Sequence, residues 1–262
     1  MHVHAIQTGT VTVTQKQLRG TGSGRIRAIR TMLDRHWTEP LPILAFLIEH
    51  PDGLILVDTG ESSGTGQPGW VPRWQPYWRL AVRFDVKPED EIGPQLRARG
   101  FDPDDVRTVV LTHLHGDHAG GIPHFPRSEI VIARGEWEAA QGFAGEAGGY
   151  LPKHFPQWLA PRLIEGEHRV ADGVRVIPTP GHTPHHQSVI VERRGDRPIF
   201  LAGDLVYSEE LLREGAVDGV TTDPVQAAET VLEARKYVDA KDAVFLPTHD
   251  PGSPARLEAA QG

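Results

Sequence analysis

Between Leu111 and Gly121 the chain reads LTHLHGDHAGG, which sets His113, His115, Asp117 and His118 within six residues. Imidazoles and carboxylates at this density are either side chains of a solvated loop or ligands for a divalent metal ion, and the rest of the chain decides between the two. The run Thr108–Thr112 reads as a strand that ends just before His113. In extended backbone His113 and His115 project to one side, and Gly116 permits a tight turn that brings Asp117 and His118 back toward the same space. Three further ligand-type residues follow apolar runs: His182 in TPGHTPHHQS, Asp204 in LAGD and His249 in LPTHD. Five histidines and two aspartates exceed the needs of one tetrahedral ion. They suit two ions about 3.5–4 Å apart that share a carboxylate and a water. With no cysteine in the chain, thiolate ligation, disulfides and cysteine nucleophiles are excluded.

The elements that must carry these groups are short β-branched runs bounded by turn residues. Strands are predicted over Ile43–Glu49, Leu54–Asp58, Thr108–Thr112, Glu129–Ala133, Val174–Pro178, Ser188–Glu192, Pro198–Ala202 and Ala243–Pro247. Pro51-Asp52-Gly53 joins the first two as a hairpin. Helices are predicted over Pro88–Arg99, closed by Gly100, over Gly135–Gln141, and over Asp223–Val238, where Asp223-Pro224 supplies an N-cap and an N1 proline. Strands that arrive in runs, without strict alternation with helices, predict an α/β fold of two mixed sheets sandwiched between helices. Loops at one edge of such layers commonly gather functional groups.

The 262 residues fit one domain with long working loops. A net charge of −8 opposes a phosphate backbone and argues against nucleic acid as a partner. The longest apolar run, Ile43–Ile48, is far too short to span a membrane, and the first 30 residues lack the apolar stretch of a secretory signal. A soluble, cytoplasmic protein is the expectation. A basic stretch within residues 14–37 (Lys16, Arg19, Arg25, Arg27, Arg30 and Arg35) reads as a solvated arm or an oligomer contact.

The sequence resembles the metallo-β-lactamase-fold hydrolases. Their signature His-x-His-x-Asp-His stands here as His113, His115, Asp117 and His118, and the later ligands follow in order as His182, Asp204 and His249. The resemblance covers roughly residues 43–250 and implies an αββα sandwich. It implies that His113, His115 and His182 hold one ion, that Asp117, His118 and His249 hold the other, and that Asp204 bridges them. In LILVDTG it makes Asp58 a residue that supports the ligands. The nitrogen and oxygen donors suit zinc, and also iron, cobalt or manganese. Zinc is the expectation, because the di-iron branch typically carries glutamate where this chain has His115.

Two strings narrow the resemblance to the N-acyl-homoserine lactonases: GDLVY, with Tyr207 three residues after Asp204, and GHTPHHQS around His182. The expected reaction is opening of a lactone ring. Two ions lower the pKa of a shared water to give hydroxide near neutral pH, and the hydroxide attacks the carbonyl. One metal and the Tyr207 hydroxyl stabilise the oxyanion, and Asp117 passes the proton of the nucleophile to the departing alkoxide. His185 stands where glycine is common in these lactonases. Its imidazole either narrows the site or, since neighbouring side chains face opposite ways, points to solvent while His186 points inward. The remaining histidines (His2, His4, His36, His50, His124, His154 and His168) have no ligand spacing with a partner and read as surface or packing residues.

Residues 61–85 are rich in Gly and Pro yet carry Trp70, Trp74, Tyr77, Trp78 and Phe84. These aromatics form either a hydrophobic wall for an acyl chain or the packing of a loop or dimer contact. The basic arm either covers that opening or reaches a partner, and the resemblance allows a homodimer. The enzyme alternative is a thioesterase of the glyoxalase II kind, which shares all seven ligands but usually adds a domain for glutathione; only 13 residues follow His249. A nuclease or phosphodiesterase of this fold fits the charge poorly. A metal-binding protein without catalysis would lack a ligand or Tyr207, and none is missing.

Overall fold

A computed structural model describes residues 1–262. The strands are β1 (His2–Val13), β2 (Leu41–His50), β3 (Gly53–Val57), β4 (Val82–Asp85), β5 (Val106–Val110), β6 (Glu129–Ala133), β7 (Arg162–Ile164), β8 (His168–Ala171), β9 (Val174–Pro178), β10 (Gln187–Val191), β11 (Ile199–Gly203) and β12 (Val244–Pro247). The helices are α1 (Gln15–Leu18), α2 (Gly24–Leu33), α3 (Tyr77–Leu80), α4 (Ile92–Ala98), α5 (Gly116–Ala119), α6 (Arg134–Ala139), α7 (Gly142–Ala147), α8 (Glu209–Glu214), α9 (Pro224–Lys241) and α10 (Ser253–Ala259).

Seven strands form one sheet in the order β4-β1-β2-β3-β5-β6-β7, and five form a second in the order β12-β11-β10-β9-β8. Both are mixed: β3, β5, β6 and β7 run parallel, as do β11 and β12, and the other pairings are antiparallel. Between the sheets lies a layer that includes Phe46, Ile48, Val57 and Val110 from one and Val176, Val189, Leu201 and Leu246 from the other. Strands buried on both faces read as continuous apolar runs, which is why these were visible in the sequence. On the outer face of the first sheet Ile92 and Leu96 of α4 pack with Ile122 and Phe125. On that of the second, Leu211 and Leu212 of α8 and Val231, Ala234 and Val238 of α9 cover Phe200 and Phe245. The architecture is the expected αββα sandwich.

All eight expected strands are present, and Ile43–Asp58 is a hairpin with Phe46 opposite Val57 and His50 opposite Gly53. Four strands were missed. β1 mixes polar and apolar residues around Gly9, and β4, β7 and β8 are only three or four residues long. The helix expected over Pro88–Arg99 breaks into a 3₁₀ turn and α4, because Glu91 turns extended (ψ 150°) and its carboxylate accepts from the Ser63 amide at 2.8 Å. Residues 14–37 contain α1 and α2. Lys16, Arg25, Arg30 and Arg35 are exposed there, whereas Arg27 is buried.

The two sheets are tied at one edge. Gln187 donates its backbone N–H to Thr112 (3.0 Å) and its amide to Leu111 (2.8 Å), while Thr248 joins Gly203 and Leu44 through its backbone. The loops that carry the clustered His and Asp residues leave from this edge.

In α9 the Asp223 carboxylate accepts from the amides of Val225 (3.1 Å) and Gln226 (3.0 Å), as the Asp-Pro pair implied. Asp223→Ala should lower the unfolding free energy by about 1 kcal/mol in urea denaturation, with the denaturant slope unchanged.

Candidate active site

The structure brings all seven ligand-type residues together as three overlapping groups: His113, His115 and His182; His113, His118 and Asp204; Asp117, His118 and His249. In the first group His113 Nε2 lies 3.1 Å from His115 Nδ1, which lies 2.9 Å from His182 Nε2. The far nitrogens are occupied. His113 Nδ1 donates to the Thr112 hydroxyl (3.1 Å), His182 Nδ1 to Asp218 (2.8 Å), and His115 Nε2 faces the Gly148 carbonyl (3.4 Å). A neutral imidazole carries one proton, so the inward nitrogens present bare lone pairs to one another. Lone pairs at this separation repel unless a cation lies among them.

In the second group the outer nitrogens are likewise occupied, but the inner ones face carboxylates. His118 Nδ1 donates to Asp58 and His249 Nδ1 to the Pro42 carbonyl, each at 2.9 Å. Their inward nitrogens face Asp204 Oδ1 at 3.2 and 3.3 Å, and Asp117 Oδ2 lies 3.4 Å from His249 Nε2. The other oxygen of Asp204 lies 3.5 Å from His182 Nε2, so this carboxylate stands between the groups. His118 Nε2 and Asp204 Oδ1 are buried and, despite their approach, lack hydrogen-bond geometry to any partner. Buried polar atoms without partners are rare and call for a ligand. The donor set therefore fits divalent metal ions.

Burial opposes charge on every one of these groups. At His113 and His115 burial prevails, reinforced by neighbouring imidazoles, and holds the first well below the usual value and the second at about 4. At His249 the carboxylates of Asp204 and Asp117 overcome burial and raise the ring to about 10. Asp204 resists burial through His249 and His118 and stays well below the usual carboxylate range.

Local sequence explains the loop shapes. Asp58 adopts a left-handed conformation (φ 59°), and its carboxylate accepts from the Thr112 amide (2.7 Å), the Thr112 hydroxyl (2.9 Å) and His118. At Gly116 a Cβ would come within 2.5 Å of the Glu61 carboxylate, and at Gly203 (φ 57°) within 2.7 Å of His186. A side chain at either position would force one of these groups to move.

Several supporting contacts escaped sequence reasoning, including the partner of His186. Glu136 ties two ligand loops, accepting from the Leu114 amide (3.1 Å) and the Thr183 hydroxyl (2.8 Å). His186 accepts from the Asp204 amide (3.1 Å) and is held at about 3 by burial and then by His182, so it remains neutral. Glu61 is pushed up to about 8 by burial and by Asp117. Asp218 orients His182 and also accepts from the amides of Val220 (2.9 Å) and Thr221 (2.7 Å). It is fixed in turn by Arg27 of α2, whose guanidinium donates to the Asp218 carbonyl at 2.6 Å. The only sequence trace of this chain of contacts was one more arginine in a basic stretch.

Beside the cluster opens a cavity of about 330 Å³. His115, Asp117, His182, Asp204, Tyr207 and His249 form its polar floor. Tyr207 is buried, and its ring stacks on His249 (centroids 5.2 Å apart, 20° between planes). Of the expected pocket aromatics, Tyr77, Trp78 and Phe84 line the cavity, joined by Val11, Val13 and Met32. Trp70, Trp74 and His185 lie outside it. Trp70 stacks on His154 at 3.7 Å, Trp74 is 49% exposed against Phe143, and His185 is exposed over Gly135. In the first two cases the loop turns the ring toward a neighbouring aromatic, and in the third the side chain follows the alternation that sends His186 inward.

Residues 38–249 match the Metallo-beta-lactamase superfamily, and the chain belongs to that family. Among its relatives is the N-acyl homoserine lactonase AttM of Rhizobium radiobacter, 33% identical over 233 residues that cover 84% of this chain and 86% of that protein. The N-acyl homoserine lactonase AiiA of Bacillus thuringiensis subsp. kurstaki is 31% identical over 211 residues, covering 80% and 82%. A solved N-acyl homoserine lactone hydrolase, with the product N-hexanoyl-L-homoserine at its catalytic metal centre, superposes with a TM-score of 0.78 at 25% identity, over 96% of this chain and 95% of that one.

Removing the carboxylate that orients His182 should weaken metal binding. Asp218→Ala is expected to lower affinity roughly 10- to 100-fold in a competitive chelator titration, with little change in secondary structure by circular dichroism.

Proposed function

We propose that this protein is a metal-dependent hydrolase that opens the lactone ring of N-acyl-homoserine lactones and so silences the signals built on them. The observation that carries the reading is the union in one cavity of a converging His/Asp cluster, a buried tyrosine hydroxyl and an apolar wall. The relatives named as N-acyl homoserine lactonases support the substrate class.

His113, His115 and His182 would hold one ion, Asp117, His118 and His249 a second, and Asp204 would serve both. Zinc is the ion this all-nitrogen and oxygen set suits best. Bound there, two divalent ions supply Lewis acidity and lower the pKa of water to near neutrality. The chain's own groups do the rest. Burial, and after it the Asp204 charge, raises the Tyr207 phenol well above its usual value, so the hydroxyl keeps its proton and donates it as a hydrogen bond to the oxyanion that forms at the lactone carbonyl. Asp117 lines the cavity as a carboxylate, kept ionised against burial by His118 and His249. It takes the proton released by the nucleophile and delivers it to the ring oxygen as the C–O bond breaks. The acyl chain lies along Trp78, Phe84, Val11, Val13 and Met32. Residues 14–37 and 61–85 thus furnish cavity walls for a single hydrolase domain.

The purified, zinc-loaded protein should release protons from short- and long-chain acyl-homoserine lactones and leave a glutathione thioester intact; cleavage of the thioester alone would overturn the substrate. Tyr207→Phe should lower kcat by roughly a hundredfold with the metal content unchanged, and equal turnover would remove its role. Trp78→Ala should shift the preference among acyl lengths while Trp74→Ala does not, as read from kcat/KM across a chain-length series.

A further inference from the structure

Gln17 is a buried amide on α1, 190 residues from Tyr207 in sequence. Its Nε2 donates to the Tyr207 oxygen at 2.8 Å, and its Oε1 accepts from the Tyr77 hydroxyl at 2.9 Å. All three side chains line the cavity, and Tyr207 is the one stacked on His249. Helix α1 itself is pinned near the cluster: the Gln17 carbonyl accepts from the Gly219 amide at 2.7 Å, one residue beyond the aspartate that orients His182.

A phenol oxygen can accept one hydrogen bond and donate another. Which of these it does toward the cavity depends on the polarity of its neighbour. With an N–H pointing at its oxygen, Tyr207 has its acceptor side filled and its own proton free. Accepting a hydrogen bond also polarises the O–H and strengthens the bond it gives. A carbonyl oxygen at the same place would instead capture the proton.

We propose that Gln17 is a positioning residue: its amide, held by Tyr77, donates to Tyr207, fixes that ring against His249, and leaves the Tyr207 proton for the carbonyl oxygen of the substrate. The assignment rests on the lactone-opening reading of the site.

Gln17→Leu removes the amide, and Gln17→Glu keeps the shape and both contacts but accepts from both hydroxyls when ionised. Lactone opening is measured on metal-loaded wild type, both variants, Tyr207→Phe and the double variant Gln17→Leu/Tyr207→Phe, with thermal midpoint and metal content recorded for each. Gln17→Leu should lower kcat roughly tenfold with KM nearly unchanged. Gln17→Glu should lose at least as much, although it is isosteric. The double variant should be no slower than Tyr207→Phe alone, because the amide acts only through that hydroxyl. Losses that multiply, or wild-type turnover in Gln17→Glu, would overturn the assignment while lactone opening by the wild type stands. If Gln17→Leu fails to fold, Gln17→Glu, alone and combined with Tyr207→Phe, carries the same comparison. A wild-type protein inert toward lactones would instead overturn the functional reading, and the role of Gln17 with it.

Discussion

Five imidazoles and two aspartates turn ring nitrogens and carboxylate oxygens into one largely buried space. Left alone, such groups repel or must take up protons, so the fold has to hold them in place against their own electrostatics. It does so from behind. Asp58, Asp218, Thr112 and the Pro42 carbonyl each engage the outer nitrogen of a histidine and so aim the inner one at the cluster. The seven residues stand out as a set because of this convergence, and the residues behind them hold it in place.

The layered architecture delivers that support. Parallel pairing of β3 with β5 and of β11 with β12 sends four loops out at corresponding ends, and the backbone bonds Gln187–Thr112 and Leu44–Thr248 lock the two sheets together there. Helices α1 and α2 complete the site from outside the sandwich. Arg27 grips the loop that carries Asp218, and Gln17 reaches Tyr207, so a segment with the composition of a surface arm contributes to both the His/Asp cluster and the cavity beside it.

The His/Asp cluster that the structure assembles was readable in the sequence because its members follow short β-branched runs that announce themselves as strands. Glu129–Ala133 and Val174–Pro178 were placed to the residue. Strand β1 was not, since its Gln-Thr-Gly-Thr centre dilutes the alternation that a strand facing two environments leaves behind. The supporting residues were hidden for a different reason. Asp218 meets His182 across 36 residues and Gln17 meets Tyr207 across 190, and no local pattern encodes a partner at that distance. The aromatic loop shows the same limit: its composition suggested a wall, but only the path of the chain separates Trp78, which lines the cavity, from Trp74, which does not.

If the seven His and Asp residues hold two ions whose joint presence opens a lactone, ring opening must depend on both ions. Metal-free protein titrated with zinc, while ring opening is followed by proton release, tests it most directly. Activity that climbs to a plateau at two equivalents per chain is the expected result. A plateau at one equivalent, or turnover that does not depend on added metal, would contradict it.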